Sequence, residues 1–168
     1  MQQKFTIAVL VKDEFGVLNR VTSMFRRRRF NIDSLTVSET ETESYSRITL
    51  SSRGDTVAKK QLIDQLYKLP DVCSIKEIDN ENSVSCELLL IKLKNTPEVR
   101  DEIKTAADAF KAELVDYTHE SMILQLTGSS RRIDSFIGFI RDFDILELCR
   151  TGVVSLERGA DTIREIDL

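Results

Sequence analysis

From Phe5 to Lys12 the chain carries an almost unbroken apolar run, which predicts a largely buried strand, and Asp13-Glu14-Phe15-Gly16 then breaks it with turn chemistry. Val17, Leu18, Val21, Met24 and Phe25 recur at three- and four-residue spacing, so a helix with one apolar face is expected next. Arg26 to Arg29 fall in its final turn, where positive charge complements the helix dipole, and Asn31 is expected to end it. Ile32 to Glu39 and Tyr45 to Arg53 predict two strands joined by the polar hairpin loop 40–44. Gly54-Asp55 closes that pair. Asp55 is placed to cap a second helix whose Ala58, Leu62, Leu66 and Leu69 form a stripe, and Pro70 stops it before a strand from Val72 to Ile78. The predicted order is βαββαβ.

After the polar stretch 79–83 the pattern starts again. Cys86 to Leu93 predicts an apolar strand, and Thr96-Pro97 reads as a helix start, threonine capping and proline fitting the first turn. Val99, Ile103, Ala106, Ala107 and Phe110 share a face of that helix. Leu114 to Thr118 and Met122 to Thr127 are candidate strands around a turn at His119-Glu120. Gly128-Ser129 leads into a helix carrying Ile133, Phe136, Ile137 and Ile140, and Ile145 to Cys149 supplies the last strand. Two halves with one element order and little visible identity predict an α+β chain of two tandem ferredoxin-like βαββαβ domains. The expected boundaries are 1–79 for the first domain, 80–83 for a linker, 84–159 for the second domain and 160–168 for a charged tail.

The 168 residues include 24 Lys+Arg against 28 Asp+Glu, so a formal net charge of -4 gives no global attraction to polyanions. Cys73, Cys86 and Cys149 lie far apart with no C-x-x-C pair and read as reduced, partly buried thiols. The N-terminus enters a strand without the apolar run of a signal peptide, and no stretch approaches a membrane span. A cytoplasmic protein is the expectation.

No catalytic residue stands out. The single histidine, His119, falls in a predicted turn, and an exposed turn histidine outweighs a general base there. No serine sits in a G-x-S-x-G elbow. No P-loop, no G-x-G-x-x-G and no His/Cys cluster at metal spacing is present, and the carboxylates are scattered. Arg26 to Arg29 point to different sides of a helix, which favours a solvated helix end, with a protein interface as the alternative. RNA recognition on such a sheet would need stacking aromatics in a run such as K/R-G-F/Y-G/A-F-V-x-F/Y, and that run is absent.

Asp13-Glu14-Phe15-Gly16-Val17-Leu18 carries the informative chemistry. Backbone N–H groups at a new helix N-terminus lack intrahelical partners, and the helix dipole favours an anion there. Gly16 permits a tight backbone and the close approach that the α-carboxylate of an amino acid requires. Asn31, at the opposite end of the helix, offers a donor and an acceptor, and it reaches a neighbouring copy's pocket more easily than its own. On the residues alone, an ordinary turn glycine at 16 and a helix C-cap at Asn31 remain the competing readings.

The turn, the helix and Arg29-Phe30-Asn31-Ile32-Asp33-Ser34-Leu35-Thr36-Val37 resemble the ACT domain of acetolactate synthase (acetohydroxyacid synthase, AHAS) small regulatory subunits. The likeness continues through Ser46-Arg47, the segment 65–72 ending in Pro70-Asp71-Val72, and Glu87 to Lys92. Thr127-Gly128, Ile133-Asp134-Ser135-Phe136 and Ile145-Leu146-Glu147-Leu148-Cys149-Arg150-Thr151-Gly152 are similar to the family's C-terminal domain. The D/N-x-x-G-V-L turn is shared by many ACT domains and implies only amino-acid sensing. The R-R-x-F-N-I-x-S-L-T-V and I-L-E-L-x-R-T-G segments point to this subunit.

The resemblance implies a homodimer through the ACT domains, binding valine or a related branched-chain amino acid as feedback inhibitor. Carried over by position, Asp13, Phe15, Gly16, Val17 and Leu18 would hold the effector through backbone amides, with Asn31 and Ile32 contributing from the adjoining domain. The C-terminal domain would help engage and activate a large catalytic subunit, which in this family carries thiamine diphosphate, a divalent metal (Mg) and often FAD. No cofactor is implied for this chain. The alternative is a free-standing ACT-type sensor acting on another protein. Two departures stand out: the family commonly has asparagine in place of Asp13 and proline in place of Phe15. The first brings negative charge beside an incoming carboxylate, and the second leaves the turn more costly to order.

Overall fold

A computed structural model describes residues 3–163. The chain forms two compact units, one running to Val84 and resuming at Gly152, the other spanning Ser85–Thr151.

In the first unit β1 (Gln3–Lys12), α1 (Val17–Arg27), β2 (Ile32–Glu39), β3 (Tyr45–Gly54), α2 (Thr56–Leu66) and β4 (Val72–Glu77) build an antiparallel sheet in the order β2-β3-β1-β4. Alternation decides the faces. Phe5, Ile7, Val9 and Val11 of β1 and Ile48 and Leu50 of β3 pack with Val17, Val21, Met24 and Phe25 of α1 and Leu62 and Leu66 of α2. Asp55 caps α2 by accepting the Ala58 N–H at 2.7 Å, as the sequence pattern predicts.

The end of α1 differs from expectation. Arg29, not Asn31, supplies the reversal, at φ 58°, while Phe30 N–H reaches back to the Phe25 carbonyl at 2.9 Å and Arg29 N–H to that of Arg26 at 3.1 Å. These are the two hydrogen bonds of a Schellman cap, and the edge-on packing of Phe30 against Phe25 is its accompanying apolar contact. Arg26 to Arg29 are all exposed.

In the second unit β5 (Ser83–Lys94), α3 (Arg100–Phe110), β6 (Glu113–Tyr117), β7 (Ser121–Gly128), α4 (Ser130–Ile140) and β8 (Ile145–Arg150) repeat the plan, with sheet order β6-β7-β5-β8. Leu89, Ile91 and Leu93 meet Ile103 and Ala106 of α3 and Ile133, Phe136 and Ile140 of α4. Thr96-Pro97 does not begin the helix. Both Val99 and Arg100 N–H donate to the Thr96 carbonyl, forming a separate turn, and α3 starts at Arg100. The thiols also depart from expectation, since Cys86 and Cys149 are exposed and only Cys73 is half-buried.

The family-like segment Arg150-Thr151-Gly152 has a structural reason in each unit. Glu87, 5 % exposed, accepts from Arg150 Nε at 2.5 Å, and Asp134 accepts from Arg150 Nη1 at 2.6 Å. Burial opposes the charge of Arg150, but these two bonds outweigh it and raise its pKa. Thr151 pairs with Leu88 through both its N–H and its hydroxyl oxygen. Gly152 then lies against β2 of the first unit, where an added Cβ would come within 2.4 Å of Thr36 Oγ1 and 2.8 Å of the Leu35 carbonyl oxygen.

Beyond Gly152, β9 (Val154–Glu157) and residues 158–163 pack on the first unit, although the sequence reading carried the second domain through residue 159 and began a tail at 160. Arg47 Nη2 donates to the Ser155 carbonyl at 2.7 Å, Lys76 pairs with Glu157, and Ile163 is buried with Ala8, Leu10 and Ile78. The expected tail residues 164–168 lie outside the described residues. No helix among the described residues is long and apolar enough to cross a membrane.

Candidate functional site

Two hydrogen bonds fix the end of β1: Lys12 N–H donates to the Asp71 carbonyl at 2.9 Å, and Asp13 N–H donates to the Ser44 carbonyl at 2.7 Å. The chain between them and α1 projects as a turn. Gly16 takes φ 82° and ψ 0°, a left-handed conformation that suits glycine, and Val17, 4 % exposed, drops into the core to start the helix. Val17 N–H donates to the Glu14 carbonyl at 3.3 Å. The N–H groups of Phe15, Gly16, Leu18 and Asn19 find no acceptor among the described residues, and no side chain caps the helix. With no acidic residue in its first turn, α1 presents four donors and the positive end of its dipole.

Three of these residues, Phe15, Gly16 and Leu18, border a cavity of about 350 Å³ lined by the turn from Val11 to Leu18 and by Val37, Ser46 and Ile48. Five of the seven expected effector residues, Asp13, Phe15, Gly16, Val17 and Leu18, therefore meet at one cavity. They do not contribute alike. The amides of Asp13 and Val17 are already engaged, whereas Asn19, absent from the sequence reading, has a free N–H on the next position of the helix but does not line the cavity. Phe15 is fully exposed and Leu18 is 40 % exposed. Asn31 and Ile32 do not line this cavity. Asn31 precedes and Ile32 begins β2 at the far end of α1, about 16 Å along an 11-residue helix, where the Asn31 carbonyl accepts from Ser52 Oγ at 2.7 Å. Larger cavities of about 590 and 530 Å³ in this unit and 880 Å³ in the other lie away from the turn and its donors, so size does not select the site.

Arg20 is the residue that the sequence pattern left unmarked. Its Nε donates to Asp71 Oδ2 at 2.6 Å, and its Nη1 makes a longer contact of 3.4 Å with the Phe15 carbonyl. The pattern held two clues: Arg20 falls one turn into α1, and Asp71 lies in the family-like Pro70-Asp71-Val72 segment.

His119 is exposed at the β6–β7 turn, consistent with the structural reading of that residue.

Comparison with known proteins assigns both units. Residues 7–74 match the family described as AHAS small subunit-like ACT domain, and residues 86–159 match the small subunit of acetolactate synthase. A probable acetolactate synthase small subunit from Archaeoglobus fulgidus is 45% identical over 156 residues, 93% of this chain and 98% of that one. The chain belongs to the acetolactate synthase small subunit family. Another member, the isozyme 3 small subunit of Escherichia coli, is 37% identical over 159 residues, covering 94% of this chain and 98% of its own length. The crystal structure of the acetolactate synthase small subunit from Thermotoga maritima superposes with a TM-score of 0.87 at 33% identity, across 95% of this chain and 99% of that one. Within this family the first unit is the ACT domain, and the open turn belongs to it.

Proposed function

We propose that the chain is the regulatory subunit of acetolactate synthase, binding and activating a separate catalytic subunit and conferring feedback inhibition by valine or another branched-chain amino acid. The observation that supports this reading most directly is the β1–α1 turn of an ACT domain in this family, with the free amides of Phe15, Gly16 and Leu18 beside a cavity of about 350 Å³. An effector carboxylate fits such donors, while Val11, Val37 and Ile48 offer apolar surface for a branched side chain.

Two copies would pair through their ACT domains, so that Asn31 and Ile32 of one complete the turn site of the other. The effector acts by binding one conformational state of the complex better than another. Thiamine diphosphate, Mg and FAD belong to the catalytic subunit in this proposal, and the complex works in the cytoplasm in branched-chain amino-acid biosynthesis.

The test is acetolactate formation from pyruvate by the cognate catalytic subunit, with and without this chain. Stimulation together with co-elution of the two chains is the expected result. No stimulation in a verified mixture would favour a free-standing amino-acid sensor.

A further inference from the structure

Asp71 holds the effector turn from both ends. Its carbonyl accepts the Lys12 N–H where β1 finishes, and its carboxylate, only 10 % exposed, accepts from Arg20 Nε. The same guanidinium reaches the Phe15 carbonyl through Nη1. Across a trans peptide the carbonyl and the following N–H point in opposite directions, so holding the Phe15 oxygen toward Arg20 directs the Gly16 N–H away from it. Gly16 fits this approach as well as its positive φ, because a Cβ there would lie 3.3 Å from Arg20 Nη1. Phe15 has no ring to fix its own φ, which leaves the orientation of this peptide to its contacts.

We propose that Arg20, anchored by Asp71, is a positioning residue of the effector site: it orients the Phe15–Gly16 peptide so that the Gly16 N–H is presented to the ligand carboxylate. The inference rests on the effector reading above. It also brings a cation to a turn whose sequence carries two carboxylates, Asp13 and Glu14. A two-pronged guanidinium suits this role where an ammonium does not, since it must meet a carboxylate and a carbonyl at once.

The experiment is titration calorimetry of the full chain with valine, leucine and isoleucine, on the parent and on Arg20→Gln, Arg20→Lys and Asp71→Asn. Stimulation of the catalytic subunit and melting temperature are measured alongside. The parent binds at least one of the three. Arg20→Gln is expected to weaken that binding at least tenfold and Arg20→Lys several-fold, with stimulation retained.

Parent-like affinity in Arg20→Gln, or in Arg20→Lys, overturns the proposal. So does a loss of affinity matched by equal losses of stimulation and melting temperature, which marks the pair as merely structural. A parent that binds none of the three amino acids sinks the effector reading itself, an outcome distinct from a binding parent with indifferent variants.

Discussion

The two units end β1 and β5 with the same pair of hydrogen bonds and then diverge. Lys12 N–H donates to the Asp71 carbonyl and Asp13 N–H to that of Ser44, while Lys94 N–H donates to the Asp144 carbonyl and Asn95 N–H to that of Glu120. Asp13 is exposed beside an open turn. Asn95 is 3 % exposed, donates to the Thr118 carbonyl at 2.5 Å and accepts from Arg100 Nε at 2.9 Å. In the second unit an arginine and an amide thus tie the strand end to the following helix and to the Thr118 carbonyl. In the first, the arginine of the corresponding helix pairs with Asp71 instead, and Asp13 makes no side-chain bond of this kind among the described residues. One backbone plan carries a side-chain tie across the strand end in one unit and a candidate binding site in the other, and the two differ in whether the residue after the strand is a buried amide or an exposed carboxylate.

Breaking the tie at Asn95 should cost most. Asn95→Ala removes a buried side chain that ties the Thr118 carbonyl to the Arg100 guanidinium, so a loss of about 2 kcal/mol is expected in urea unfolding. A loss under about 0.5 kcal/mol would mean that this turn is not held by the Asn95 side chain. Asp71→Asn, its counterpart beside the open turn, should cost about 1 kcal/mol, because Arg20 is 41 % exposed and its ion pair is screened. Equal costs at the two positions would erase the contrast between them.

Asp13→Asn should barely alter stability, yet it removes a charge beside the incoming carboxylate. The expected gain is about 1 kcal/mol, roughly fivefold in valine affinity by calorimetry, shrinking as salt shortens the screening length. No gain at low salt would contradict the charge explanation.

The smallest effect concerns what the units share. Arg29 at φ 58° and Lys111 at φ 50° both follow a first helix in the left-handed region, each with an i to i−5 bond to complete the reversal. Glycine at either position should raise stability by about 0.5–1 kcal/mol in thermal unfolding, and a drop would show that these side chains do more than turn the chain.

Most of the fold was legible because apolar periodicity records which face of each element is buried. The strand and helix order, the Asp55 cap and the repeat all follow from that record. The reversals were harder to read. Arg29 and Lys111 adopt a backbone that sequence patterns assign to glycine or asparagine, so Asn31 looked like the cap. Thr96-Pro97 has helix-start composition, but its carbonyl closes a separate turn before Arg100. The return of the chain to the first unit after Thr151 depends on contacts between residues a hundred positions apart, such as Arg47 with Ser155, which no local pattern encodes.

At the candidate site, the turn from Asp13 to Leu18 was legible through Gly16 and the strand-to-helix switch. Which amides remain free was not, because that depends on Ser44 and Glu14 carbonyls folding back onto the turn. Arg20 escaped notice for a similar reason: an arginine on an exposed helix face gains a role only when Asp71 arrives from 51 residues away.

The most direct test of the open turn as the effector site is acetolactate formation by the cognate catalytic subunit across a valine titration, with the parent chain and with Gly16→Ala. The expected result is stimulation by both, reversed by valine for the parent, with the midpoint for Gly16→Ala raised at least tenfold by strain at φ 82°. Coincident titrations, or parent stimulation indifferent to valine, leucine and isoleucine alike, would contradict the assignment.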